Sequence, residues 1–143
     1  MRLRLLLLPL PLLAACARSP ESEGAGLSVE RLAGVEWELV ALGERSEVLA
    51  AGGRRPTIQF TIGESRVGGF GGCNQWSAPY QTAGDSLTFG PAVSTKMACS
   101  EGMDVETAFF GMLPSVRRLA ATDSTLTLLS ADSPLAQFRR AAP

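Results

Sequence analysis

From residue 35 onward, apolar and polar side chains alternate with period two. Val35, Trp37, Leu39 and Ala41 fall opposite Glu36, Glu38, Val40 and Leu42, and Ile58, Phe60 and Ile62 share one face of residues 57–62. Such alternation predicts strands with one buried face. Residues 66–70 return after a Gly63-Glu64-Ser65 turn, and residues 80–82 and 86–89 form a second hairpin around Ala83-Gly84-Asp85. Short strands are also expected at 92–97, 116–120, 125–129 and 135–139. Only one segment has helical period, with Val105, Ala108, Phe109, Met112 and Leu113 on one face and Glu106 and Gly111 opposite. Asp104 is its expected N-cap and Pro114 its end. The pattern predicts an α+β fold, mostly antiparallel β: a strongly curved sheet or partial barrel of about seven to eight strands with one helix.

Before this region the chain changes character. Two arginines in residues 1–4 precede leucines and prolines at 5–13, then Leu13-Ala14-Ala15-Cys16. This is the layout of a secretory signal. Nine helical residues rise only about 14 Å against a hydrocarbon core of about 30 Å, so the stretch is not a membrane span. Its last four residues resemble the lipobox of bacterial lipoproteins, whose cysteine carries acyl chains such as palmitate and begins the mature protein. The alternative is a plain signal peptide cut near Ala15 beside an unmodified cysteine. Ala17 after Cys16, where aspartate would direct retention, implies by the same resemblance an outer-membrane anchor facing the periplasm. Residues 17–30 are small, polar and turn-forming, and read as a tether. The expected organisation is a signal peptide at 1–15, a lipidated Cys16 with tether to residue 30, and a folded domain over 31–143.

The chain carries 13 basic and 14 acidic residues; loss of Arg2 and Arg4 with the signal moves the net charge from −1 to −3. With no long basic run, nucleic acid is not an expected partner. There is no histidine, which removes Ser-His and Cys-His catalysis and the commonest metal ligand. No catalytic residue, metal or cofactor is expected. Gly69-Phe70-Gly71 imitates the start of a dinucleotide loop, but Asn74 stands where a third glycine belongs and no helix follows. Glu64, Asp85 and Glu106 are expected on the solvated surface.

Four glycines in residues 68–72 demand tight turning or close backbone approach. Cys73 closes that run, and Cys99 closes Thr95-Lys96-Met97-Ala98. With Cys16 acylated, Cys73 and Cys99 remain as an even pair in a compartment that permits disulfides, so the arithmetic favours one bridge over two buried thiols. Asn74, Gln75 and Thr95 beside them either form a polar ligand site or satisfy backbone groups freed by the turn. Trp37, Phe60, Phe70, Trp76, Phe89 and Phe109 either fill a core or line a pocket for an acyl chain.

Taken together, residues 32–40, Gly69-Phe70-Gly71-Gly72-Cys73-Asn74, residues 87–91, Thr95-Lys96-Met97-Ala98-Cys99, residues 106–110 and Leu126-Thr127-Leu128 with Phe138 resemble the META domain, also called HslJ-like. Val35, Lys96 and Ser100 depart from the common pattern. The resemblance implies a curved sheet with a helix, similar to a lipid-binding pilot protein of secretion systems, and an envelope protein linked to stress tolerance. It implies no established reaction. The expected role is a non-catalytic, lipid-anchored envelope module with a protein partner; the alternative is a carrier or sensor of a hydrophobic molecule in the curved sheet.

Overall fold

The computed structural model describes residues 28–142. The signal peptide, Cys16 and most of the tether lie outside the described residues. One helical turn, α1 (Val29–Leu32), opens the domain and buries Val29 and Leu32. The packed domain therefore starts two residues inside the segment read as tether, because Val29 finds an apolar site there. Nine strands follow: β1 (Glu36–Leu42), β2 (Thr57–Phe60), β3 (Arg66–Phe70), β4 (Gln75–Ala83), β5 (Ser86–Phe89), β6 (Val93–Ser94), β7 (Arg118–Ala121), β8 (Thr125–Leu129) and β9 (Pro134–Arg140). The long helix α2 (Met103–Met112) lies between β6 and β7 and runs into a 3-10 turn, Leu113–Ser115.

The strand order is β3-β2-β1-β9-β8-β7-β5-β4, and β4 pairs back onto β3. Eight strands thus close into an antiparallel barrel, where period two left open a partial one. β6 hangs outside the ring, paired only with Trp76 and Ser77 of β4. Closure is thinnest between β5 and β7, which share the single register pair Ser86↔Arg118. There Arg118 donates to Asp85 at 2.6 Å and to Asp132 at 2.9 Å across the outer surface.

An eight-stranded barrel is wide enough to be filled by side chains or to hold one small ligand, and here side chains fill it. Trp37, Leu39, Ile58, Phe60, Leu87, Leu126, Leu128 and Phe138 are all less than 2 % exposed. Phe109 of α2 packs edge-on against Trp76 of β4 at 5.4 Å and against Phe138 of β9 at 6.4 Å. These strands stand four places apart in the ring of eight, on opposite walls, so Phe109 plugs the interior. Of the six aromatics proposed for a pocket, Trp37, Phe60, Phe70, Trp76 and Phe109 are core. Phe70 is buried beneath Arg54, whose guanidinium carbon lies 3.9 Å from its ring centre. Phe89 is half-buried and borders an apolar cleft of about 470 Å³ outside the ring.

Two strand expectations change for identifiable reasons. β4 begins at Gln75 and runs straight through Pro79, where the sequence predicted a strand only over residues 80–82. Pro79 lies where β4 changes partner from β6 to β5, and its carbonyl accepts from Gly90 N at 2.8 Å, so its missing N–H faces the junction between them. The strand expected over 92–97 shrinks to two residues, because the rest of that segment is held by a side chain in place of a sheet ladder.

Candidate functional site

That side chain is Asn74, at the end of the glycine run. Its Oδ1 accepts from Thr95 Oγ1 at 2.9 Å and from Met97 N at 2.7 Å. Its Nδ2 donates to Glu106 Oε1 at 2.7 Å and lies 3.4 Å from Met97 O. One buried amide therefore joins the strap over residues 91–98 to helix α2. Beside it Cys73 is bonded to Cys99, with Cα atoms 5.8 Å apart, and this ties down the end of the same strap. The strap is otherwise exposed throughout, with Val93 and Met97 each more than half accessible.

Glu106 is the residue that sequence reasoning misplaced. Expected on the polar face of α2, it is instead only 5 % exposed. Its Oε2 accepts from Cys73 N at 2.8 Å and Asn74 N at 2.6 Å, while Oε1 takes Asn74 Nδ2. The clue lay in its neighbours. Val105 and Phe109 are buried and Phe110 is half-buried, so Glu106 stands inside the stripe that α2 turns inward. Apolar periodicity cannot count a carboxylate as an inward position, and the donors that make it one come from 32 residues upstream.

Glycine makes the meeting of loop and helix possible. Gly102, the N-cap of α2, has φ of +84°, and a Cβ there would lie 2.5 Å from both Ala51 N and Gly72 O. Asp104, the expected cap, sits within the first turn and pairs with Arg45 at 3.4 Å on the surface. Gly71 is equally hemmed in, since a Cβ would stand 2.6 Å from the Phe110 ring. The Gly71–Asn74 turn, closed by Gly71 N donating to Asn74 O at 2.8 Å, thus lies directly against α2.

Burial pushes the Glu106 carboxyl up, but the side-chain donor of Asn74 and the backbone donors of Asn74 and Cys73 together outweigh it and leave it below the ordinary carboxylate value. Glu106 is therefore ionised at neutral pH with its oxygens already engaged. The arrangement braces the loop, strap and helix; it offers no acid to donate a proton and no adjacent nucleophile. Because its folded value lies below its unfolded one, of about 4.3, the stabilisation it gives is complete above that value. It is lost as pH falls through the folded value. Denaturation followed from pH 6 to pH 3 is expected to show this loss, and Glu106→Gln is expected to flatten it.

Of the three polar residues singled out from sequence, Asn74 and Thr95 belong to this cluster. Gln75 does not: its side chain is exposed and points away, although its carbonyl accepts from Thr95 N at 3.0 Å. Among the described residues no group of three or more Cys, Asp or Glu side chains is placed to hold a metal ion.

A family model described as META domain matches residues 30–142. No curated protein matches the chain. Among solved structures, the NMR structure of a protein from Burkholderia xenovorans superposes with a TM-score of 0.66 at 22 % identity, covering 88 % of this chain and 99 % of that one. A second NMR structure gives a TM-score of 0.61 at 19 % identity over 79 % of this chain and 94 % of the other. Both are similar in fold.

Proposed function

The chain belongs to the META domain family, and from that premise we propose that it is a lipid-anchored envelope protein acting as a non-catalytic binding module. The observation that carries this reading is the filled barrel. With Phe109 seated between opposite walls, a bound molecule has to be met on the outer surface. Both oxygens of Glu106 are engaged in a buried position, which supports the non-catalytic part, because a general acid or base has to present a proton or an accessible lone pair to the reacting atom. Anchoring rests on Leu13-Ala14-Ala15-Cys16 and the polar residues after it. A role in envelope stress tolerance, on the outer membrane facing the periplasm, is part of the same proposal.

One observation favours the carrier reading, moved to a different place. The cleft of about 470 Å³ beside β6 is lined by Phe89, Pro91, Ala92, Phe110, Leu113 and Pro114, which suits an apolar small molecule or acyl chain. Native mass spectrometry of the protein taken from its membrane in mild detergent separates the readings. The expected spectrum shows acyl mass on Cys16 and no further adduct, and Cys16→Ser is expected to move the protein from membrane to soluble fraction. An unacylated Cys16 would overturn the anchor; a lipid-sized adduct that survives Cys16→Ser would put the carrier reading first.

A further inference from the structure

On the outer face of β1 to β4, away from the apolar cleft, lies a polar trough of about 310 Å³. Its residues fall into two groups across neighbouring strands. Glu36 of β1 and Gln59 of β2 are directly paired, as are Phe70 of β3 and Gln75 of β4. Between the groups stands Gly68, the partner of Gln59, which has no side chain to fill the space.

The first group presents acceptors. Gln59 Nε2 donates to Gly34 O at 3.0 Å, which fixes the amide and leaves Oε1 facing outward beside the exposed Glu36 carboxylate. The second group presents donors. The Arg54 guanidinium is held over the Phe70 ring by cation–π attraction and has no ion pair or hydrogen bond among the described residues. A guanidinium positioned this way keeps its donor fork available for a carboxylate. Gln75 stands next to it, its side-chain amide without a partner among the described residues. Glu36 likewise has no ion pair among the described residues, so the two opposite charges face one trough without neutralising each other.

We infer that this trough binds a short zwitterionic peptide of dipeptide size, its carboxylate on Arg54 and Gln75 and its ammonium on Glu36 and Gln59. Glu36 and Gln75 stand on β1 and β4, three strands apart, and the Phe70–Gln75 pair is offset by two residues from Gly68, the partner of Gln59; with adjacent strands about 4.8 Å apart, the backbones beneath the two groups are separated by roughly 8–16 Å. The charged ends of a dipeptide lie roughly 6 Å apart, and a charge-assisted hydrogen bond of about 2.8 Å at each end extends its reach to about 11–12 Å, which falls within that range. The site holds whether or not Cys16 carries lipid.

The test is a titration of the purified chain with three probes: alanyl-alanine, its N-acetyl derivative and its C-terminal amide. Affinity is read by calorimetry, and contact by NMR of the Arg54 Nε–H and the Gln59 and Gln75 side-chain amides. Alanyl-alanine is expected to bind about tenfold or more tightly than either derivative, the worth of one charge-assisted hydrogen bond, and to shift all three signals. Arg54→Lys keeps a cation over Phe70 but loses the fork, and is expected to remove most of the affinity for alanyl-alanine. Glu36→Gln is expected to bring alanyl-alanine down to the level of its N-acetyl derivative. Equal binding of all three probes, no binding of any, or binding untouched by Arg54→Lys would overturn the inference.

Discussion

Glu106→Gln is expected to cost about 3 kcal/mol of folding stability, read as a lower urea midpoint. The reason is polarity, since size barely changes. One carboxylate oxygen accepts two backbone N–H groups and the other accepts the Asn74 amide, so a glutamine must turn its NH2 group toward at least one buried donor. An unsatisfied buried donor costs about 1–3 kcal/mol, and hydrogen bonds to a charged acceptor are worth more than neutral ones. Asn74→Asp alone is expected to be as harmful, because it sets two carboxylates together. The double change reverses the pattern: the introduced glutamine's Oε1 would accept from the two backbone N–H groups while its NH2 donates to the introduced carboxylate. At least half of the summed loss should return, a coupling of about 3 kcal/mol in the double-mutant cycle. Recovery should stop short of complete, since Met97 O would then face an oxygen where it now faces Nδ2 at 3.4 Å. Additive losses in the cycle would show that the carboxylate is not braced as described.

The second large effect is expected from Cys73→Ala with Cys99→Ala. The bridge closes a separation of 26 residues, for which the chain-entropy model gives about 3.5 kcal/mol, an upper guide whose mechanism is disputed. The site of loosening is specific. Without the bond, residues 91–98 keep only their pairing to Trp76 and Ser77, the Thr95 N to Gln75 O bond and the Asn74 contacts. Hydrogen exchange should therefore rise first at Val93 to Met97, while β1, β8 and β9 retain protection. The acid-sensitive part of stability should persist, since the backbone N–H of residue 73 and Asn74 still meet Glu106. A loss below about 1 kcal/mol with unchanged exchange in the strap would mean that Asn74 alone holds it.

The parts of this molecule legible in its sequence are those that depend on neighbours along the chain. Alternation in β1, β2, β5 and β8 is a local consequence of one buried face, and the α2 stripe of Val105 and Phe109 is a local consequence of helical period. The cysteine pair was legible through parity. Closure of the barrel was not, because β1 to β9 pairing joins residues about a hundred positions apart, as in Glu38 with Arg139. Nor was the inward turn of Glu106, whose burial is favourable only because donors arrive from the Gly71–Asn74 turn. Asn74 was recognised as either site or turn, and it proves to join both the strap and the helix. The trough on the outer face was hidden for the same reason: it needs Glu36, Arg54 and Gln75 assembled from different strands and a loop, with glycine as the gap.

Strand order also bears on how the chain reaches its working shape. β9, the last strand in sequence, stands between β1 and β8. Until it is available, β1 and β8 each present a bare hydrogen-bonding edge and the ring cannot shut. Such non-local pairing makes for slow folding that waits on β9. For the export proposed above, delay is an advantage: a chain whose ring is still open can be threaded across a membrane. The ring shuts only when β9 is in place.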